Sequence, residues 1–211
     1  FSTMTQHVYF ASLAGSTMTD GQLISTAVDI DTALALAQTY APAEIKIIDS
    51  ANISTPKSIT ADITIGSAGF SRKTIMFTST TASINVQTAG SLQFSSVILD
   101  GLSLSRTQAP LMVMGNCSLY NTDIKNSISG AMGGAVNVSG AASLYMERGL
   151  ITLCSASYGG GIYCSPNSTL GIGPGAIVTG NTATMGLGGD VFLDPSATYT
   201  NTGGTVGNLY Q

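Results

Sequence analysis

Carboxylate side chains are the first candidates for chemistry in this sequence, because paired acids perform general acid–base catalysis and several acids together bind calcium. The chain has 11 acidic residues. Those in its repeated part are Asp100, Asp123, Glu147, Asp190 and Asp194. Counted from the start of the repeat that contains each residue, Asp123 and Glu147 come close to stacking, at offsets of 12 and 11. One such pair is typical of a solvated surface, so we predict no catalytic residues.

A cation site is the second chemistry to weigh. Asp190 and Asp194 lie on either side of an apolar triplet and could line a weak cation site with chain oxygens. We favour the capping of a surface turn instead. His7 is the only histidine and is far from the acids along the chain, so the sequence predicts no metal and no other cofactor.

The three cysteines can form at most one disulfide bond. Cys117, Cys154 and Cys164 lie at offsets of 6, 18 and 2 within their repeats, so none stacks on another. Cys154 and Cys164 could still meet as a disulfide across the glycine-rich turn at residues 158–161. The alternative is that Cys164 fills a core position as a small hydrophobic residue.

Four Asn-x-Ser/Thr sequences are candidate N-glycosylation sites. They begin at Asn52, Asn116, Asn137 and Asn167. Because Asn, Ser and Thr are abundant, several such sequences would arise by chance, and Asn also suits the turns of a repetitive fold.

A sequence motif that is repeated between Leu111 and Leu193 must position the candidate acids, cysteines and asparagines. Each copy has an apolar triplet, a short turn, a strand and a closing glycine pair. We call the first residue of each triplet the opener and pair it with the residue eight positions later: Ile84/Leu92, Leu111/Leu119, Val136/Leu144, Ile162/Leu170 and Val191/Tyr199. The openers are 27, 25, 26 and 29 residues apart. Units of this length cannot bury an apolar face alone and must stack, which predicts a solenoid.

The register predicts two inward-facing ladders of side chains. The first contains Val86, Val113, Val138, Cys164 and Leu193, and the second contains Leu92, Leu119, Leu144, Leu170 and Tyr199. Because each coil repeats the direction of the last, the strands should pair in parallel, and the crossover rule predicts a right-handed helix. The glycine pairs precede inward strands, where a tight corner needs positive φ or close backbone approach.

The N-terminal part differs from the repeats. Val8 and Phe10, with Leu13 after them, alternate as the apolar face of a short strand that ends in a Gly/Ser/Asp turn. Asp31 or Thr32 can begin a helix that stops before Pro42. Its apolar face contains Ile30, Leu34 and Ala37. Such a helix would cap the open end of a solenoid.

One structural domain in two parts is predicted from these elements. Residues 1–43 hold the N-terminal strand and capping helix, and residues 44–211 form a β-helix of six or seven coils. The early strands are predicted at 44–48, 58–65, 74–77 and 83–86. We expect the regular register to hold from Ile84 onward.

The composition narrows the functional classes. Only 9% of the residues are charged, and the net charge is −4. The sequence therefore offers no basic stripe for nucleic acid, and no apolar run is long enough to span a bilayer. A low charge with many Ser, Thr and Asn residues favours an extracellular or cell-surface protein.

The glycine closures resemble the repeats of polymorphic outer-membrane proteins and adhesin-like families. Their repeats carry GGA followed by Ile, Leu or Val, which Gly133-Gly134-Ala135-Val136 matches. The later copies read GGGI and GGDV. The companion FxxN element keeps Asn126 and Asn181 but loses Phe, and the middle copy has Cys154 instead. This resemblance implies a β-helix that functions in adhesion.

The N-terminal part resembles the beginning of pectate-lyase-like β-helices. The matching features are Val8-Tyr9-Phe10, a polar stretch, a cap helix around Ala33–Leu36 and the strand Ile45–Ile48. Together the two resemblances cover nearly the whole chain. They specify the fold far more than the function.

The sequence thus predicts an all-β, right-handed parallel β-helix that acts without catalysis as an adhesin-like surface module. It would display loops to a surface ligand, either another protein or a glycan. One alternative is a self-assembling filament or sheath subunit that associates end to end. The other is a pectate-lyase-like enzyme acting on polysaccharides.

Overall fold

The computed structural model describes residues 6–13 and 21–211 as a parallel β-solenoid of about six coils with one α-helix near its N-terminus. The α-helix spans Ile30–Thr39 and follows a short 3-10 turn at Ile24–Thr26. The predicted fold class is confirmed. The turn predicted after the first strand falls on residues 14–20, which lie outside the described part.

The wide sheet contains 13 parallel strands of the described residues and has two arms. Its first arm consists of β1 (His7–Ala11), β2 (Ala43–Ile47), β5 (Asp62–Ser67), β8 (Ser91–Ser95), β12 (Asn116–Tyr120) and β22 (Thr198–Asn201). Its second arm consists of β3 (Ser50–Ile53), β6 (Lys73–Phe77), β9 (Val97–Asp100), β13 (Asp123–Lys125) and β23 (Thr205–Val206). The long strands β16 (Ser143–Thr152) and β19 (Thr169–Val178) belong to both arms and join them.

Two further parallel sheets complete the coils. The opener sheet consists of β4 (Lys57–Ile59), β7 (Ile84–Val86), β11 (Leu111–Val113), β15 (Val136–Val138), β18 (Ile162–Cys164), β21 (Val191–Leu193) and β24 (Leu209–Tyr210). The corner sheet consists of β10 (Ser105–Arg106), β14 (Ile128–Ser129), β17 (Ser155–Ala156) and β20 (Thr182–Ala183). A regular coil passes through the opener sheet, the first arm, the second arm and the corner sheet in that order.

The opener register is confirmed. The five openers pair in sequence from Ile84 to Val191, and the residues two positions later form the predicted ladder, all of them fully buried. The register also begins one coil earlier than predicted, because Lys57 pairs with Ile84.

The second predicted ladder is wrong at one rung. Cys117, not Leu119, pairs with Leu92 on one side and with Leu144 on the other. Leu119 lies one rung further along, between Phe94 and Met146. The spacing from opener to ladder is therefore six residues in this coil, although it is eight in its neighbours.

One apolar core runs through the solenoid from the first strand to Leu193 and includes the inner face of the helix. Ile30, Leu34 and Ala37 are buried there as predicted. The N-cap differs from the prediction, because Asp29 accepts a hydrogen bond from the backbone N–H of Thr32.

The first strand has the opposite phase to the prediction. Tyr9 and Ala11 are buried, whereas Val8 and Phe10 are half-buried and Leu13 is exposed. Pairing with β2 decides this, because Tyr9 lies beside the inward Ile45. Both alternating sets in this strand contain large apolar residues, so the pattern within the strand did not separate them.

The early coils also differ in detail. The strand predicted at 58–65 is two strands, β4 and β5, with a two-residue corner at Thr60 and Ala61 between them. The helix contacts this corner, since the Gln38 side-chain oxygen accepts hydrogen bonds from the backbone N–H and hydroxyl of Thr60, both at 3.0 Å.

Among residues 6–13 and 21–211, no helix combines the length and apolar character that a membrane span requires.

Candidate functional site

An open groove of about 370 Å³ lies where the opener sheet turns into the first arm. Its lining residues come from three successive coils and are Thr88, Met114, Gly115, Asn116, Ser139, Gly140 and Ala141. None of these residues is charged. Thr88, Asn116 and Ser139 present hydroxyl or amide groups, and the two glycines present their backbone. We call this surface the corner groove.

The corner groove exists because the middle coil has a short corner. Residues 87–90 and 139–142 make four-residue links between the opener sheet and the first arm, whereas Met114 and Gly115 make the link between them with only two. The short corner lies tightly against its neighbour, since a Cβ on Gly115 would overlap with the carbonyl oxygens of Gln87 and Gly90. A recessed corner between two longer ones leaves a notch.

Hydrogen bonds fix the walls of the notch. The Oγ of Ser143 donates to Oδ1 of Asn116 at 2.8 Å, and the N–H of Gly140 donates to Oγ of Ser165 at 2.9 Å. Gly140 has a φ of 68°, which a left-handed turn requires. The amide of Asn116 and the hydroxyl of Thr88 both face solvent at its edge. The groove is therefore suited to a polar, uncharged ligand surface.

Among the acids, Asp123 and Glu147 do not stack. Asp123 accepts from Nη1 of Arg72 at 2.7 Å and from the N–H of Leu150 at 2.9 Å. The residue after it, Ile124, pairs with Ile151, which places Asp123 beside Leu150 and not beside Glu147. Within residues 6–13 and 21–211, no three acidic, histidine or cysteine side chains are grouped so that they could hold a metal ion.

The two aspartates around β21 act separately. Asp190 is 4% exposed, and it accepts hydrogen bonds from the N–H groups of Asn181 and Asn208 and from the Asn181 amide. Asp194 caps a turn, accepting from the N–H and hydroxyl of Ser196. The favoured turn-capping role is thus observed for Asp194, while Asp190 is an internal brace.

The structure contradicts the disulfide between Cys154 and Cys164, because all three thiols are free and buried. Cys164 lies in the opener ladder between Val138 and Leu193, as the alternative predicted. Cys154 lies after β16 and donates a hydrogen bond from its thiol to the carbonyl of Thr152. Burial raises the pKa of each thiol to about 12, so these cysteines are inert at neutral pH.

The four candidate glycosylation sites differ in accessibility. Asn52, Asn116 and Asn167 are exposed. Asn137 is half-buried, and its side-chain nitrogen, the atom that would carry a glycan, donates to the carbonyl of Met132. Asn116 is itself part of the corner groove, so a glycan there would cover the groove.

Two features escaped the sequence interpretation, namely the corner groove and a buried arginine. The signal for the groove was the length of the Met114-Gly115 corner, which a fixed spacing of eight residues concealed. The structural feature is Arg106, 3% exposed, whose guanidinium donates to the carbonyls of Phe77, Ser79 and Gly101 at 2.6 to 2.8 Å. Nothing in the local sequence marks Arg106 as buried.

Comparison with known proteins adds no relative. No protein-family model matches the sequence, and neither the curated proteins nor the solved structures that were searched contain a match. The functional argument therefore rests on the residues and their geometry.

Proposed function

We propose that this chain is a non-catalytic, adhesin-like extracellular module that binds a polar ligand on a glycan or protein surface through the corner groove. The observation that carries the proposal is the groove itself, a concave surface with uncharged hydrogen-bonding groups on a rigid scaffold. Its walls come from three consecutive coils, so their relative positions are set by the parallel ladders below them.

The scaffold supports a binding role in a second way. The ladder residues beside the groove, among them Val113 and Val138, are fully buried, and each such side chain contributes roughly 1.5–3 kcal/mol. A groove held by such a core loses little conformational entropy when a ligand binds, because its backbone is already ordered.

The partnering of the acids favours binding over catalysis. Asp100 accepts from Lys125 and Asn126, Asp123 accepts from Arg72, and Asp190 is held by backbone and amide donors. Carboxylates held in this way brace the coils. The pectate-lyase-like alternative would need several acids that face one groove.

The direct test fills the groove. Ala141 is exposed in the four-residue corner that forms one wall, so Ala141→Trp should occupy the notch without touching the core. Ser196→Trp is the matched control, because Ser196 occupies the equivalent corner position two coils later and lies outside the groove. Both variants should keep the wild-type circular dichroism.

Binding would be measured on an array of immobilised glycans and extracellular-matrix proteins. We expect the wild type and Ser196→Trp to bind the same ligands, and Ala141→Trp to lose at least about tenfold in affinity, which corresponds to about 1.4 kcal/mol. Equal binding by all three proteins would overturn the role of the groove. Release of unsaturated products from uronic-acid polysaccharides would overturn the non-catalytic assignment.

A self-assembling filament or sheath subunit is the second candidate, and a separate observation favours it. Residues 195–211 contain no charged side chain, and β22, with mostly exposed residues, pairs only with β19 among the strands of the described residues. Charges on edge strands normally prevent pairing between molecules. Sedimentation velocity over a range of concentrations should then show growing assemblies, and a single monomeric boundary would contradict this candidate.

A further inference from the structure

A second polar surface lies at the other end of strand β12, where the first arm bends into the second. Tyr120 ends β12, and Tyr145 lies on the adjacent strand β16 with its ring centroid 6.5 Å away in an edge-to-face arrangement. Both rings are more than a third exposed. A small pocket of about 110 Å³ beside them is lined by Tyr120, Asn121, Glu147 and Arg148. We call these four residues and Tyr145 the tyrosine bend.

A β-bulge places the charged residues of the tyrosine bend. The pairing of β16 with β19 slips between Met146 and Arg148, so two residues of the next coil, Gly173 and Pro174, lie opposite Glu147. Bulges redirect side chains and occur often at binding sites. Glu147 is half-buried, yet its carboxylate has no hydrogen bond or ion pair with any residue of the described part of the chain, in contrast to Asp100 and Asp123.

The next coil leaves space around these side chains. Strand β19 has glycines at positions 171, 173 and 175, and Tyr145 lies over Gly171 while Arg148 lies over Gly175. A Cβ at Gly171 would come within 2.7 Å of the Tyr145 ring. The bare glycine backbone of β19 therefore lies directly against the Tyr145 ring, and Tyr145 remains 38% exposed.

The chemistry of the tyrosine bend fits a sugar ring. A free carboxylate accepts hydrogen bonds from two neighbouring hydroxyl groups, and the Arg148 guanidinium and Asn121 amide donate to sugar oxygens. Exposed tyrosine rings pack against the apolar C–H face of a sugar and keep their own hydroxyls in water. Because one acid and one base lie together, their charges offset each other, which favours a neutral sugar over a uronic acid or a phosphate.

We propose that the tyrosine bend is a saccharide-binding subsite that takes a neutral, hydroxyl-rich sugar ring of the same ligand that enters the corner groove. Asn116, in the groove, and Tyr120 are the two ends of β12, about 13 Å apart at the rise of a parallel strand. The outward residue between them on β12 is Ser118, and the uncharged side chains of Tyr145 and Gln93 lie beside it on the adjacent strands. One oligosaccharide can therefore lie across the first arm and reach both ends. This inference rests on the proposed function and narrows its ligand to a glycan.

The test uses isothermal titration calorimetry with the full chain and neutral gluco-, manno- and xylo-oligosaccharides of increasing length. Glu147→Gln keeps the shape of the side chain and removes its charge, so folding should be unaffected. Its control is Asp62→Asn, an exposed acid on the same arm that lies outside the pocket. Tyr145→Ala removes the ring, and Tyr210→Ala is the control for the loss of an exposed tyrosine.

We expect Glu147→Gln and Tyr145→Ala each to weaken binding of the longer oligosaccharides about tenfold, the usual size of a lost charged hydrogen bond. The two controls should bind as the wild type does. Affinity for the wild type should rise with ligand length until both ends are reached, and the two bend variants should lose this rise.

The outcomes separate this proposal from the proposed function. If Ala141→Trp abolishes oligosaccharide binding while Glu147→Gln and Tyr145→Ala leave it unchanged, the tyrosine bend is not a subsite and the groove remains one. If no neutral oligosaccharide binds the wild type, the saccharide assignment is overturned, whereas the groove is still judged by its own array with protein ligands. Binding that prefers a uronic acid would also overturn the neutral-sugar assignment.

Discussion

The two corners on either side of each opener strand contrast in sequence and geometry. The corner before the opener, which we call the glycine corner, contains Gly133-Gly134 in one coil and equivalent glycines in the next two. The corner after the opener forms the corner groove, and its length changes from four residues to two and back to four. The glycine corner repeats, and the groove corner varies.

Backbone contacts explain why the glycine corner repeats. Gly133 has a φ of 74°, and the N–H of Gly134 donates to the carbonyl of Gly159 on the next coil at 3.1 Å. A Cβ on Gly134 would overlap with the carbonyl oxygen of Gly160. The coils approach each other so closely here that glycine is required. The groove corner packs differently from coil to coil, because Gly140 has no atom within 4 Å of a Cβ position, whereas a Cβ on Gly115 would overlap with two carbonyl oxygens.

The largest expected effect comes from a methyl group in the glycine corner. Gly134→Ala would push a Cβ into the backbone of the next coil and should destabilise the protein by about 3 kcal/mol or more. Gly140→Ala is the matched control in the groove corner. It meets only the strain of a left-handed residue, about 1 kcal/mol. Urea unfolding would measure both, and equal losses would show that the two corners do not differ in packing.

Arg106 offers the second test, because its coil has no glycine pair before the next opener. Arg106→Met removes the donors from three carbonyls in the interior and should cost about 2 kcal/mol, the penalty of leaving buried acceptors unpaired. Arg72→Met is the control on the surface, where loss of the Asp123 ion pair should cost less than about 1 kcal/mol. Thermal unfolding would compare them, and an unaltered midpoint for Arg106→Met would refute its bracing role.

A smaller effect on stability is expected when the short corner is lengthened. Replacing Met114-Gly115 with the Ser-Gly-Ala-Ala sequence of residues 139–142 would restore a four-residue corner. Doubling a loop costs only about 0.6 kcal/mol, so the melting temperature should change little, whereas ligand binding in the groove should be lost. Strong destabilisation would show that the short corner serves the fold and not the site.

The effect that is smallest at neutral pH concerns the thiols, of which Cys117 and Cys164 flank the groove corner and Cys154 precedes the glycine corner. Unfolding lowers their pKa from about 12 in the folded state to about 8.5. Above about pH 8.5 the unfolded chain binds fewer protons than the folded one, so stability falls as pH rises. This decrease should be smaller in Cys164→Val than in the wild type.

Urea midpoints between about pH 7 and about pH 10 would measure the difference. The two proteins should show the same pH dependence below about pH 8.5, because the thiols are protonated in both states there. Titration of the denatured wild type should find three free thiols, as the structure has them. Two thiols lost to a bridge would restore the disulfide prediction for Cys154 and Cys164.

Much of the fold could be predicted because it repeats. Openers such as Val136 and Ile162 recur with the same apolar neighbours and glycine corners, and each recurrence tests the others. The phase of β1 could not be predicted, since Tyr9 and Phe10 are both suited to a core and only pairing with β2 selects Tyr9. The rung at Cys117 was missed for a similar reason, because Cys117 and Leu119 alternate correctly under either spacing.

The candidate sites were less predictable than the fold. Asn116 begins a candidate glycosylation sequence, but the residues next to it in the sequence do not indicate a concave surface. Glu147 was compared with Asp123 by counting from the openers, but the corner at Met114 and Gly115 is two residues shorter than its neighbour, so Asp123 lies beside Leu150 instead. In the sequence Arg106 looks like an ordinary charged residue. Only in the folded coil does its guanidinium donate hydrogen bonds to three carbonyl groups.

The sequence by itself determined that this protein stacks in parallel coils. The apolar periodicity and the glycine spacing are local patterns that recur along the chain, so they are visible without the structure. Only the tertiary structure decided which residues lie at the surface together. Both the corner groove and the tyrosine bend depend on differences between neighbouring coils, a corner two residues shorter in one case and a slipped register in the other. Such differences shape the surface only when neighbouring coils pair in the folded protein.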